Sequence, residues 1–184
     1  MGNDRHGTYF KKKKYEGEYH KNDRTIRHGK GRLIWGDEIY DGEWADNKKE
    51  GYGVLTKADI PIYKGDWKND VYHGNGELTK EYFGVYTGEF SEGIRNGKGR
   101  ESFADGSSYD GEYLNDKFHG KGIFKTDDQV KYSYEGHFEK GLRHGEGKES
   151  FRDGAHFEGM FVEGTRNGYG ELNNKENYYY RGQW

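Results

Sequence analysis

The 184-residue chain has no cysteine, a single proline and few aliphatic side chains. Without cysteine there is no disulfide framework, zinc–thiolate site or thiol catalysis. Leu, Ile, Val and Phe together number 28. That is too few for a thick two-layer globule with an aliphatic core. No apolar run approaches the length that a membrane-spanning helix needs, which excludes one. The opening MGNDRHGTYF lacks the apolar stretch of a secretory leader, and no Asn-x-Ser/Thr occurs. An intracellular protein is the expectation, in cytoplasm, cytoskeleton or cilium, with a membrane-apposed position as the alternative. A net charge of −3 gives no general reason to expect nucleic acid as partner.

What is abundant is aromatic side chains and glycine. The chain has 17 Tyr, 10 Phe and 4 Trp, against 31 Gly. They fall in a repeat. Tyr-x-Gly-x-aromatic begins at Tyr15, Tyr40, Tyr63, Tyr86, Tyr109 and Tyr134, returns at Phe157, and closes as Tyr180-Gly182-Trp184. The spacing is constant except from Tyr15 to Tyr40 and from Tyr109 to Tyr134, which are each slightly longer through changes in the turns. Each of the first seven clusters is followed by [His/Glu/Asn]-Gly-x-Gly, from His28-Gly29-Lys30-Gly31 to Asn167-Gly168-Tyr169-Gly170. This divides the chain into residues 1–14 (half a repeat, His6 to Phe10, and a Lys-rich connector), 15–179 (seven repeats) and 180–184 (half a repeat).

Each repeat reads as a β-hairpin. Rings and glycines alternate with polar residues at period 2, which sets rings, glycines and Leu on one face and charges on the other. Glycine at every second position disfavours helix. Turn formers such as Asn69-Asp70 and Asn115-Asp116 separate the segments. Asp105-Gly106 and Asp153-Gly154, between repeats, favour type I′ turns. Pro61 falls in a connection between repeats, where no ladder donor is lost. A ring from a neighbouring strand laid across each strand glycine would give a single sheet a thin core. The fold expected is all-β: an elongated, twisted, single-layer antiparallel sheet of stacked hairpins.

The unit Tyr-x-Gly-x-[Trp/Phe/Tyr] followed by [His/Asn/Glu]-Gly-x-Gly, at this spacing, resembles the MORN (membrane occupation and recognition nexus) repeat, over residues 6–184. The resemblance implies a scaffold fold with a shallow groove. Relatives occur in junctophilins, beside lipid-kinase and lysine-methyltransferase domains, in radial spoke heads of cilia, in protist cytoskeletal scaffolds and as an adaptor for unconventional myosins.

Several groups of residues are candidates for function. His28, His73, His119 and His144 share one repeat position, and sites even one repeat apart are about 10 Å from each other, too far to share a metal ion. The Gly-x-Gly pairs open no helix and are not phosphate loops. No catalytic residue, metal site or cofactor is therefore read, and no enzyme activity is expected. Glu18, Glu43, Asp66, Glu89 and Glu112 recur in register, either as an acidic stripe for cations or a basic partner, or as a self-neutralised polar face. Lys11, Lys12, Lys13 and Lys14 are the candidates for an anionic lipid surface. Tyr40, Trp44, Tyr63, Trp67, Tyr86, Phe90, Tyr109 and Tyr113 are the candidate partner groove, serving as core as well. Trp35 and Tyr82-Phe83 add exposed aromatic candidates. Tyr178, Tyr179, Tyr180 and Trp184 would form an aromatic edge open to association, including a homo-oligomer. The leading expectation is a non-catalytic scaffold or adaptor for protein partners in a cytoskeletal or ciliary assembly. A phospholipid-binding module and a targeting segment of a larger enzyme are the alternatives.

Overall fold

The computed structural model describes residues 13–80, 82–127, 129–174 and 178–184. The expected half repeat at His6 to Phe10, and Lys11 and Lys12, lie outside the described residues. The described residues contain strands and turns but no helix. They divide into two compact units, residues 1–70 and 71–184. The first holds β1 (Lys13–His20), β2 (Asp23–Trp35), β3 (Glu38–Ala45), β4 (Lys48–Lys57) and β5 (Ile60–Lys68). The second holds β6 (Val71–Lys80), β7 (Gly84–Ser91), β8 (Ile94–Phe103), β9 (Ser108–Leu114), β10 (Lys117–Lys125), β11 (Ser133–Glu139), β12 (Leu142–Ser150), β13 (His156–Val162), β14 (Thr165–Asn173) and β15 (Tyr179–Gln183). In each unit the strands form an open antiparallel sheet in chain order.

Turn chemistry sets this order. Asp46-Asn47, Asn69-Asp70 and Asn115-Asp116 carry positive φ at both central positions, as do Glu92-Gly93, Lys140-Gly141 and Glu163-Gly164. Those are type I′ turns, whose twist matches that of the strands they join. Ala58-Asp59 makes another, between repeats. The expectation of type I′ at Asp105-Gly106 and Asp153-Gly154 is corrected. Only the glycines have positive φ there, and each donates its N–H back to Phe103 or Phe151. That is a type I turn closed by a left-handed glycine. Pro61 is corrected too. It lies inside β5 opposite Thr56, where the register shifts, and such an irregularity tolerates a missing donor.

The core of each unit is a layer of rings. Tyr40, Tyr63, Tyr86, Tyr109, Tyr134 and Phe157 are at most 2% exposed. Tyr40, Tyr86, Tyr109, Tyr134 and Phe157 each lie across the glycine two residues on in their own strand and across that glycine's partner on the next strand. A Cβ on Gly111 would stand 2.5 Å from the Tyr109 hydroxyl, and one on Gly122 would stand 2.6 Å from Cζ of the same ring. The covering ring thus comes from the glycine's own strand as well as from its neighbour. The Tyr40, Tyr63, Tyr86 and Tyr109 hydroxyls each donate to the carbonyl three residues later, at 2.8–3.0 Å. Such a bond contributes about 1 kcal/mol.

The second aromatic of each repeat links neighbours edge to face. In the second unit the series runs Phe90–Tyr86–Tyr113–Tyr109–Phe138–Tyr134–Phe161–Phe157–Trp184–Tyr180, with centroids 4.9–5.4 Å apart. In the first it runs Tyr15–Trp44–Tyr40–Trp67–Tyr63. The indole N–H of Trp44 donates to Gly31 O and that of Trp67 to Gly53 O. Edge-to-face pairs add about 0.5–1.5 kcal/mol each beyond the area they bury. Few aliphatic residues are therefore needed.

Candidate interaction surfaces

The [His/Glu/Asn]-Gly steps at 28–29, 50–51, 96–97, 119–120, 144–145 and 167–168 are β-bulges. Between Gly42 and Trp44 on β3 there is one residue; opposite, between Lys49 and Gly53 on β4, there are three. The first glycine of each Gly-x-Gly takes the left-handed conformation, with φ of 53–107° from Gly29 to Gly168. It therefore does not alternate with the second glycine on the ring face. The extra chain is covered by the carboxylate read as an acidic stripe. Glu18, Glu43, Glu89 and Glu112 pack against Gly29, Gly51, Gly97 and Gly120. Glu89 Oε1 accepts the Lys98 N–H at 3.0 Å, and Glu112 Oε1 accepts the Lys121 N–H at 3.1 Å. These carboxylates staple their own bulges. Where His137 and Met160 replace them the cover thins, and nothing stands within 4 Å of a Cβ on Gly168. An open groove of about 860 Å³ lies on this polar face, over β9 to β14.

The bulge-leading side chains stay beside their turns. His28 lies 3.7 Å from Asp46, His73 3.9 Å from Glu92, and His144 3.6 Å from Glu139. Glu50 accepts the Asn69 N–H at 3.0 Å.

The residue just before the bulge was not singled out in the sequence. It is Arg27, Lys49, Tyr72, Arg95, Phe118, Arg143 and Arg166 in successive repeats. Each of these side chains covers rings. Arg27 lies 4.1 Å over Trp44, Lys49 4.3 Å over Trp67, Arg95 5.0 Å over Tyr113 and Arg166 4.4 Å over Phe157. Phe118 stacks flat on Tyr109 at 3.8 Å. Cations over aromatic faces contribute about 0.5–2 kcal/mol each. The arginines are held from the following repeat. Arg27 donates to Asn47 O at 2.8 Å, Arg95 to Asp116 O at 2.8 Å, and Arg143 to Gly164 O. Burial pushes the Lys49 ammonium below its ordinary value. Asp116, which burial alone would raise, is brought below the usual carboxylate range by its bonds from Arg95. Burial pushes the Tyr86 and Tyr134 hydroxyls up to about 12.

This lid decides what a partner can reach. The eight candidate groove residues, Tyr40, Trp44, Tyr63, Trp67, Tyr86, Phe90, Tyr109 and Tyr113, are all buried. A partner on the ring face meets the lid and the residues beside it instead. Lys13 lies 5.5 Å over Trp35, which is half exposed, while Lys14 pairs with Glu16. Adjacent strand residues face opposite sides, so these two lysines do not share a surface. Tyr82 and Phe83 are the most exposed large hydrophobic residues described, at 84% and 70%. Tyr180 and Trp184 join the ring layer, whereas Tyr178 and Tyr179 face solvent.

Hairpins stacked in chain order, with a ring over each glycine pair, define a solenoid-like repeat protein of interaction-module class. The family model for the MORN repeat matches residues 15–38, 40–59, 63–81, 86–108, 109–129, 134–156 and 157–172. The chain belongs to the MORN repeat family, whose repeats are modules of protein and lipid interaction. No curated protein matches the chain in a sequence comparison.

Proposed function

We propose that this protein is a non-catalytic adaptor that holds protein partners in a larger cytoskeletal or ciliary assembly. The contrast between the inside and outside of the repeats carries this reading. The ring and glycine positions vary little from repeat to repeat. Outer positions change freely: the lid is Arg, Lys, Tyr or Phe, and the residue after the first strand glycine is Glu, Asp, His, Met or Gln. A constant interior sets register, and a varied exterior lets each repeat present different chemistry.

The test is detergent fractionation of cells expressing the tagged protein near its native level. Retention in the detergent-insoluble pellet, with defined co-pelleting proteins, is the expected result. Full release by detergent, preceded by flotation with membranes, would overturn the adaptor reading in favour of a lipid-binding module.

A further inference from the structure

The sequence Glu-Ser-Phe-x-Asp-Gly occurs twice in the second unit, at residues 101–106 and 149–154. Other repeats place Leu or Phe where these glutamates stand, as at Leu33, Leu55 and Phe124. Glu101 and Glu149 are nevertheless both 4% exposed. Their charge is met in the same way. Arg95 binds Glu101 and Arg143 binds Glu149 within one hairpin. A second cation, Lys80 or Arg166, reaches in at 3.1 or 2.7 Å. A tyrosine hydroxyl, Tyr113 or Tyr132, donates at 3.1 or 2.8 Å.

Two residues on, Phe103 and Phe151 are presented by matching turns. Their N–H groups donate to Ser107 O and Ala155 O, each at 2.9 Å. Each phenylalanine lines an open groove on the ring face, of about 400 Å³ at Phe103 and 750 Å³ at Phe151. An exposed apolar residue flanks each: Phe83 at the first, and Val130, 59% exposed, at the second. Lys117 lines the first groove and Arg152 the second, and neither is ion-paired among the described residues. The first groove is lined by Lys80, Arg95 and Lys117 with Glu101 and Asp116, and the second by Arg152 and Asp153, beside which Arg143 and Arg166 bind Glu149. The two phenylalanines lie on the same face, four strands apart, or about 19 Å at the usual strand spacing.

We propose that these twin grooves form one bivalent docking site for an acidic peptide segment of a protein partner, which seats a large apolar side chain in each. Aromatic walls and the exposed Phe83 and Val130 supply the burial, and Lys117 and Arg152 select Asp and Glu beside the anchors. The anchors stand about six residues apart in an extended segment or about thirteen in a helix. Two modest sites on one rigid sheet act together, because the second contact is intramolecular once the first is made. The proposal rests on the protein-binding reading above.

The test is selection of displayed random peptides, long enough to span both grooves, on the intact protein. The best peptide is then measured by fluorescence anisotropy against the wild type, F83S/K117E, V130S/R152E and the quadruple variant. All four substitutions are outside the ring layer, and thermal melts confirm that each variant folds as the wild type does. The expected peptides are rich in Asp and Glu around two large apolar residues. Kd rises at least tenfold in each double variant, and binding is lost in the quadruple. Basic peptides, or binding indifferent to the quadruple variant but abolished by Met160→Lys on the polar face, would overturn the site while leaving the adaptor reading intact. Failure to enrich any peptide overturns it as well. If the same four substitutions then abolish pelleting with phosphatidylserine vesicles, the grooves belong to a membrane contact.

Discussion

A single methyl group placed under a ring tests the packing directly. In Gly122→Ala the new Cβ would stand 2.6 Å from Cε2 and Cζ of Tyr109, against 3.4 Å for ordinary contact. The ring must retreat by the difference, most of an ångström, but Phe118 is stacked on it at 3.8 Å. Overpacking of this kind costs about 1–3 kcal/mol. Tilting the ring also loses the Tyr109 hydroxyl bond to Glu112 O, 3.0 Å long, worth about 1 kcal/mol. Replacing a strand glycine returns about 0.5–1 kcal/mol. The net expectation is a loss of about 1–3.5 kcal/mol. The decisive comparison repeats Gly122→Ala in a Tyr109→Leu background. With the ring gone the methyl has room, and the second substitution becomes neutral or stabilising, a coupling of about 2 kcal/mol or more. Urea unfolding followed by far-ultraviolet circular dichroism gives the midpoints and slopes. Equal cost in both backgrounds would refute the claim that the glycine is there for the ring.

Other perturbations have definite outcomes. Glu101→Leu, which installs the residue found at Leu33, Leu55 and Leu78, leaves Arg95 with Asp116 alone and the buried Tyr113 hydroxyl without its acceptor, and costs about 1–3 kcal/mol. Arg95→Ala leaves a buried carboxylate short of its main partner and costs about 3 kcal/mol in the same unfolding assay. Glu112→Ala uncovers the Lys121 N–H and the Gly120 bulge and costs about 1 kcal/mol, a loss that Glu112→Gln largely avoids. The Tyr86 and Tyr134 hydroxyls, pushed up to about 12 by burial, bind their protons more tightly folded than unfolded, where the value is 10.0. Their contribution to stability is present below pH 10 and is lost as pH rises to about 12. Urea midpoints should fall over that window, and phenolate absorbance from these rings should appear only with unfolding. Midpoints flat between pH 10 and 12 would contradict their burial.

Much of this fold is legible in the sequence because the repeat shows the same pattern seven times. Tyr at position one, glycine two residues on and a paired glycine downstream can hardly be arranged except as a ring over a cross-strand gap. The lid was hidden for a physical reason. Arg27 covers Trp44 on the following strand, and its repeat position holds Lys49, Tyr72 and Phe118 elsewhere, so no residue type recurs to mark it. The carboxylates recur visibly, but period-2 counting misplaced the first glycine of each Gly-x-Gly. A left-handed bulge turns that glycine towards the carboxylate, converting an apparent acidic stripe into staples. The buried glutamates illustrate the limit of hydropathy. Glu101 and Glu149 read as surface positions until the converging arginines are seen. The repeated Glu-Ser-Phe-x-Asp-Gly was the signal that could have found them.

The aromatic layer is sealed by its lid, so that recognition falls to the residues outside it. Trp44 and Trp67 are each 4% exposed, whereas Trp35 and Trp184 are 52% and 39% exposed. A Trp35→Phe/Trp184→Phe variant therefore leaves only the two covered indoles as tryptophan reporters, and acrylamide quenching measures their access to solvent. A sealed layer predicts blue-shifted emission and quenching several-fold weaker than that of free tryptophan until the protein unfolds. Quenching of the folded variant at the rate of an exposed indole would contradict the lid and return these rings to the role of an open groove.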